Sequence, residues 1–290
     1  LEDPADLESF VDGVVTTQLA ENHVAGAVVA VVKDGELFWT KGYGYTDVES
    51  RTPIDPETTL FRIGSVTKLF TWTAVMQLVE EGKLDLDTDV NAYLDFPIPD
   101  TYPQPITLRH LLTHTPGFED RGFGMGAASP EELVPLGQWL AENIPARVRP
   151  PGQFVAYSNY GAALAGYIVA RVSGVSYHEY IEANILEPLG MAHTSSRQPL
   201  PEDLAPHMSG GYRYVKGAYQ AEDFELLNIP PAGSISATGA DMARFMIAHL
   251  QNGRYGEARI LPPDTAERMQ SQHFTHDERL NGLAYGFYEM

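Results

Sequence analysis

The dipeptide Asp34-Gly35 separates two runs of strand character, and it constrains the fold more tightly than any other short feature of the chain. Residues 26–33 are rich in Val and Ala, and residues 36–44 carry Leu37, Phe38, Trp39 and Tyr43. A two-residue Asp-Gly connection suits the mirror-image turns whose twist matches that of paired strands. An antiparallel hairpin is therefore expected. Ahead of it, residues 4–22 place Leu7, Phe10, Val11, Val14, Val15 and Leu19 at helical spacing with acids opposite, which predicts an amphipathic helix packed on a sheet.

A second junction follows. Residues 60–63 form a short apolar run that Gly64 breaks, and Leu69, Trp72, Val75, Met76 and Val79 then recur at three- and four-residue spacing until Gly82. The pattern predicts a strand that gives way to an amphipathic helix with Ser65 in its first turn. Ser65-Val-Thr-Lys68 is the one place in the chain where a lysine follows a serine by three positions. Residues i and i+3 share a helical face, so the Lys68 amine is expected within reach of the Ser65 proton. A serine hydroxyl is a poor nucleophile until a base takes that proton, and a partly desolvated lysine can do so. The helix start adds free N–H groups where an oxyanion would form.

Beyond Lys83 the character changes to helical segments separated by Pro and Gly, at residues 89–94, 108–113, 130–144, 158–173 and 176–186. Thr107 reads as the N-cap of the second of these, and Pro116-Gly117 as its stop. A helical domain over residues 83–222 is expected to be inserted into a sheet-containing domain formed by residues 1–82 and 223–290. In the latter, residues 234–237 read as extended, 240–250 as an amphipathic helix and 283–288 as the start of a further strand.

Composition excludes several functions. A net charge of −20, from 39 acidic and 19 basic side chains, would repel nucleic acid and anionic membranes. Only five of the basic residues are Lys, a balance that fits either a saline habitat or plain solubility. The longest apolar stretches, residues 24–32 and 161–170, fall short of the roughly 20 residues that span a bilayer. No cysteine is present, so neither disulfides nor thiolate metal sites are available, and export from the cytoplasm is the preferred expectation. The seven histidines other than His110 and His114 show no metal spacing, and neither a metal nor a cofactor is expected. A Gly-x-Ser-x-Gly elbow is missing, which argues against an α/β-hydrolase. His110 and His114, near the Pro-Gly turn, are assigned structural hydrogen bonds, and Phe118, Phe123 and Met125 are weighed as an acyl-pocket lining.

Tyr157-Ser-Asn159 stands 92 residues after Ser65, on a loop that leads into a helix of small residues, and no other tyrosine has an asparagine two positions on. Such a loop can lean Tyr157 over a nucleophile on another helix. A protonated Lys68 would lower the phenol's pKa and make Tyr157 a usable base. Asn159 would hydrogen-bond Lys68 and a substrate carbonyl or amide.

Taken with Ser65-Val-Thr-Lys68, this motif resembles the SxxK and YxN pair of the penicillin-recognising serine hydrolases. The similar branch holds class C β-lactamases, D-alanyl-D-alanine carboxypeptidases, D-aminopeptidases and family VIII carboxylesterases. Leu111-Leu-Thr-His-Thr-Pro-Gly117, Pro188-Leu-Gly-Met191, Pro231-Ala-Gly-Ser234 and Ala240-Asp-Met-Ala-Arg-Phe245 extend the resemblance along nearly the whole chain. It implies an α+β fold of the β-lactamase/transpeptidase type, with an antiparallel sheet flanked by helices, an inserted all-helical domain and a cleft between the two. It also implies acyl transfer, with Ser65 as nucleophile, Lys68 and Tyr157 as proton relay and Asn159 contacting a small-molecule or peptide substrate. Ester, β-lactam and D-amino-acid peptide remain open as substrates.

One element of the resemblance is missing. The third signature, Lys-Thr-Gly or His-x-Gly on a strand at the cleft edge, would follow residues 283–288, and the final strands and helix of the fold are not in the sequence. A split protein, a shortened chain and a continuation past Met290 are the three explanations; an open sheet edge exposes unpaired backbone groups, so for a stable protein a separate complementing C-terminal polypeptide is the expected source. A non-hydrolytic binding protein on the same scaffold is the alternative, as is an inactive fragment that needs its complement.

Overall fold

The computed structural model describes residues 3–289, so Leu1, Glu2 and Met290, on which any reading of the chain's ends rests, lie outside the described residues. Helix α1 (Pro4–Glu21) starts where the Asp3 carboxylate accepts the Ala5 N–H at 2.9 Å. β1 (Gly26–Lys33) and β2 (Glu36–Asp47) pair antiparallel with Lys33 opposite Glu36, and β3 (Thr52–Pro53) adds to β2. The hairpin turn is the expected one, since Asp34 and Gly35 both have positive φ, 52° and 81°. The seating of α1 differs from expectation. Leu7 is buried, whereas Phe10 is 70% and Val14 46% exposed. Charge ties the helix to β2 instead: Lys41 reaches Glu8 at 2.6 Å and Asp12 at 2.8 Å, and the Tyr43 hydroxyl donates to Asp12 at 2.7 Å.

β4 (Phe61–Arg62) leads through a single 3₁₀ turn, Gly64–Val66, into α2 (Thr67–Glu80). The apolar periodicity implied a wet face on α2, and the structure has none to speak of: Phe70, Trp72, Ala74, Val75, Met76 and Leu78 are buried together with Thr71, Thr73 and Lys68. Buried polar groups persist when they find partners. The Thr71 hydroxyl bonds the Pro231 carbonyl at 2.8 Å, and that of Thr73 bonds the Leu69 carbonyl at 2.8 Å.

Next come α3 (Leu108–Leu112), β5 (Gly126–Ala127), α4 (Leu136–Glu142), α5 (Asn159–Ser173) and α6 (Tyr177–Ile181), the last continuing into a π turn at Glu182–Leu186. They pack the largely apolar face of α5 against α2. Residues 89–94 shorten to a 3₁₀ turn, Val90–Ala92. Residues 130–144 split around Pro135, which caps α4. Extended chain also occurs in this segment: β6 (Thr194–Ser195), and a hairpin of β7 (Gly211–Val215) with β8 (Ala218–Glu222) turned at Lys216 and Gly217, both at positive φ.

β9 (Leu226–Leu227) pairs with β5, and α7 (Pro230–Gly233) precedes β10 (Ser236–Ala237), the middle strand of a small sheet ordered β4-β10-β6. α8 (Gly239–Leu250) covers β1 and β2 and stacks Phe245 on Phe70 of α2 at 3.8 Å. β11 (Arg254–Tyr255), β12 (Ala258–Arg259) and α9 (Pro263–Gln270) follow. Every pairing between these strands is antiparallel, which makes the fold α+β as the sequence implied. Residues 283–288 do not form the expected strand. Gly286, at φ 89°, reverses the chain, so that the Ala284 N–H bonds the Phe287 carbonyl at 2.9 Å, while the Tyr285 N–H is taken by Met269. Among the described residues no helix is long and apolar enough to cross a membrane.

Candidate active site

The site begins with a backbone requirement. Gly64 adopts φ 52°, a conformation that favours glycine, and this turns the chain from β4 into the 3₁₀ turn that presents Ser65 at the surface. The Ser65 N–H lies where a helix start leaves donors without an intrahelical acceptor, next to the hydroxyl it would assist.

One turn on, Lys68 is only 4% exposed. Its Nζ lies 3.1 Å from the Ser65 hydroxyl oxygen and donates to the Ala232 carbonyl of α7 at 2.8 Å. Among the described residues no carboxylate lines this enclosure, and burial pulls the amine down from its ordinary 10.5 to about 8. At pH 7 about a tenth of such amines are neutral and able to accept a proton.

Tyr157 completes the trio. Its hydroxyl donates to the Ser65 oxygen at 2.6 Å, and its ring centroid lies 4.6 Å from Lys68 Nζ. The sequence had Lys68 lowering the phenol's pKa. Instead the phenol is held above its ordinary value, by burial first of all, against a smaller lowering from the Ser65 hydrogen bond. The Lys68 amine is thus lowered and the Tyr157 phenol raised, each chiefly by burial.

Asn159 opens α5 next to its cap Ser158, whose hydroxyl accepts the Gly161 N–H at 2.9 Å. It makes no hydrogen bond to Ser65 or Lys68 and lines no part of the cavity beside them. Phe118, Phe123 and Met125 are equally distant from an acyl-pocket role. Phe118 is buried in the core, Phe123 is 94% exposed on its loop, and Met125 packs against the core.

The cavity at Ser65 measures about 290 Å³. Its walls are Leu69 and Trp72 of α2, Leu112, His114 and the reversed segment from Leu283 to Tyr288, and Lys68 is its one charged group among the described residues. Sequence reading missed two contributors: the Ala232 carbonyl, because a backbone acceptor leaves no residue-type signal, and the 283–288 wall, because a strand was expected there. His110 has the structural role assigned to it, accepting the Thr107 N–H at 3.1 Å. Among the described residues no group of three or more His, Asp or Glu is placed to hold a metal.

Comparisons with known proteins agree with this fold. The Beta-lactamase family profile matches residues 11–289. Protein flp of Staphylococcus aureus (strain N315) is 30% identical over 243 residues, covering 80% of this chain and 47% of flp. The chain thus spans about half the length of that relative. Among solved structures, the octameric penicillin-binding protein homologue from Pyrococcus abyssi superposes with a TM-score of 0.82 at 30% identity, covering 99% of this chain and 65% of its own. A penicillin-binding protein from Bacillus halodurans gives 0.76 at 26% identity, covering 94% and 82%. With the profile spanning nearly its whole length, the chain belongs to the Beta-lactamase family.

Proposed function

We propose that this chain carries the nucleophile and proton relay of a serine hydrolase that works through an acyl-enzyme. The reading is carried by one observation: the Ser65 oxygen sits between Lys68 Nζ at 3.1 Å and Tyr157 Oη at 2.6 Å, beside a cavity open to a small acyl group. Neutral Lys68 takes the Ser65 proton as the oxygen attacks a carbonyl carbon, and the Ser65 N–H faces the oxyanion that forms. Collapse of that intermediate breaks the bond to the leaving group. The leaving group collects a proton from Tyr157, which is reprotonated by the Lys68 ammonium. Water then attacks the acyl-enzyme by the reverse path, restoring the Ser65 hydroxyl and releasing the acid.

Two structural neighbours are named for penicillin binding, which supports β-lactams among the acyl donors left open. The test is turnover of a chromogenic cephalosporin and of a p-nitrophenyl ester by the wild type and by Ser65→Ala. Loss of both activities in the variant is expected. Equal rates in the two proteins would remove Ser65 from its role.

A further inference from the structure

We infer that His114 is the positioning residue for Tyr157, an assignment that rests on the acyl-transfer reading above. His114 ends the turn after α3 and takes up the chain on both sides of Tyr157. Its carbonyl accepts the Ala156 N–H at 2.8 Å, and its Nδ1 accepts the Ser158 N–H at 3.3 Å. Its ring lies between Tyr157, with centroids 4.7 Å apart, and Trp72 of the nucleophile's own helix, at 5.9 Å. The phenol therefore hangs from a three-residue stretch whose two outer amides are pinned to a single residue, and its ring lies beside that residue's imidazole, tilted by 37°.

The backbone makes the choice of histidine informative. His114 sits at φ 53° and is 5% exposed. Glycine would meet the conformational demand without strain, and asparagine would meet it nearly as well. A buried imidazole at such a position is accounted for by what its ring does: Nδ1 supplies the acceptor that the Ser158 N–H needs. Accepting at Nδ1 places the ring proton on Nε2. Burial, with the nearby Lys68 as a smaller contribution, lowers this imidazole to about 4, so it keeps that acceptor at neutral pH. Placement matters here because an error of about 1 Å in a reacting group costs up to roughly 100-fold in rate.

The test is a double-mutant cycle read by the second-order rate of Ser65 labelling with a fluorophosphonate, which requires no knowledge of the natural substrate. His114→Gly leaves the left-handed backbone unstrained and deletes the ring; His114→Asn keeps an acceptor near Nδ1 and tolerates the same φ. Labelling is expected to fall about 10- to 100-fold in H114G and to return to within about threefold of wild type in H114N. In a Tyr157→Phe background H114G is expected to cost less than about threefold more, because the group it positions is already gone. A further tenfold loss in that background overturns the inference, as does wild-type labelling by H114G. If H114G does not fold, H114N decides: labelling as slow as in Y157F overturns the inference. If the wild type is not labelled at all, the acyl-transfer reading fails and takes this assignment with it, whereas a slowed Y157F beside an unaffected H114G sinks the His114 role alone.

Discussion

Tyr157 donates its phenolic hydrogen to the Ser65 oxygen across 2.6 Å, although 92 residues separate the two in sequence. The phenol is the nearest O–H donor to the nucleophile, so Tyr157→Phe is expected to lower kcat by about 10²- to 10³-fold. Tyr157 is 40% exposed, so its loss should change stability by less than about 1 kcal/mol. Steady-state kinetics and a denaturant titration on the same preparation check both. A loss of less than threefold would leave Tyr157 without a part in proton transfer.

Lys68 links activity to pH and to stability. Its amine is held near 8 in the folded chain, against an ordinary 10.5. Activity is expected to rise from pH 6 to a plateau above about 8 as the neutral amine accumulates. Stability follows the proton count. Between 8 and 10.5 the unfolded chain holds a proton that the folded chain has lost, so unfolding free energy rises with pH across that window and is flat below it. Lys68→Met removes the buried charge. It is expected to abolish turnover while stabilising the fold by about 1–3 kcal/mol at pH 7, an advantage that shrinks toward pH 10.5. Urea titrations at pH 7 and pH 10 check this, and a destabilised K68M at pH 7 would contradict it.

Asp241 is 3% exposed, and its carboxylate accepts the His193 N–H at 2.8 Å and the Thr194 hydroxyl at 2.9 Å, joining α8 to β6. Asp241→Ala leaves both donors without that acceptor and is expected to cost about 2–4 kcal/mol. The change should appear as a lowered urea midpoint, with kcat unaffected in the protein that remains folded. A midpoint within error of wild type would show that water replaces the carboxylate at no cost.

Charge imbalance bears on the whole molecule. A net charge of −20 makes the folded chain repel itself. Going from about 0.1 M to 1 M NaCl shortens the screening length from roughly 10 Å to 3 Å, and the thermal midpoint is expected to climb by about 3–6 °C. A fall on adding salt would mean that ion pairs such as Lys41 with Glu8 and Asp12 outweigh the repulsion.

What the sequence disclosed follows from which interactions are local. The Asp34-Gly35 hairpin and the Ser65–Lys68 approach depend on turn chemistry and helical pitch over a few residues, and both were legible. The all-round burial of α2 was not, because the Thr71 and Thr73 hydroxyls satisfy themselves on backbone carbonyls that residue types do not announce. The exposed face of α1 escaped for a related reason: Lys41 and Tyr43 hold the helix by its acids, which periodicity reads as a solvent side. Tyr157 is legible in its motif, whereas the raised phenol and the lowered Lys68 amine follow from burial, which residue types do not announce. Asn159 came from the same motif, and the fold leaves it outside the cavity wall.

The central claim is that Ser65 forms the covalent intermediate. Incubation with a fluorophosphonate or a fluorescent penicillin, followed by intact mass and peptide mapping, tests it most directly. The expected result is one adduct per chain, mapped to Ser65 and missing in Ser65→Ala. An adduct on any other residue, or an equal adduct in the alanine variant, would contradict it.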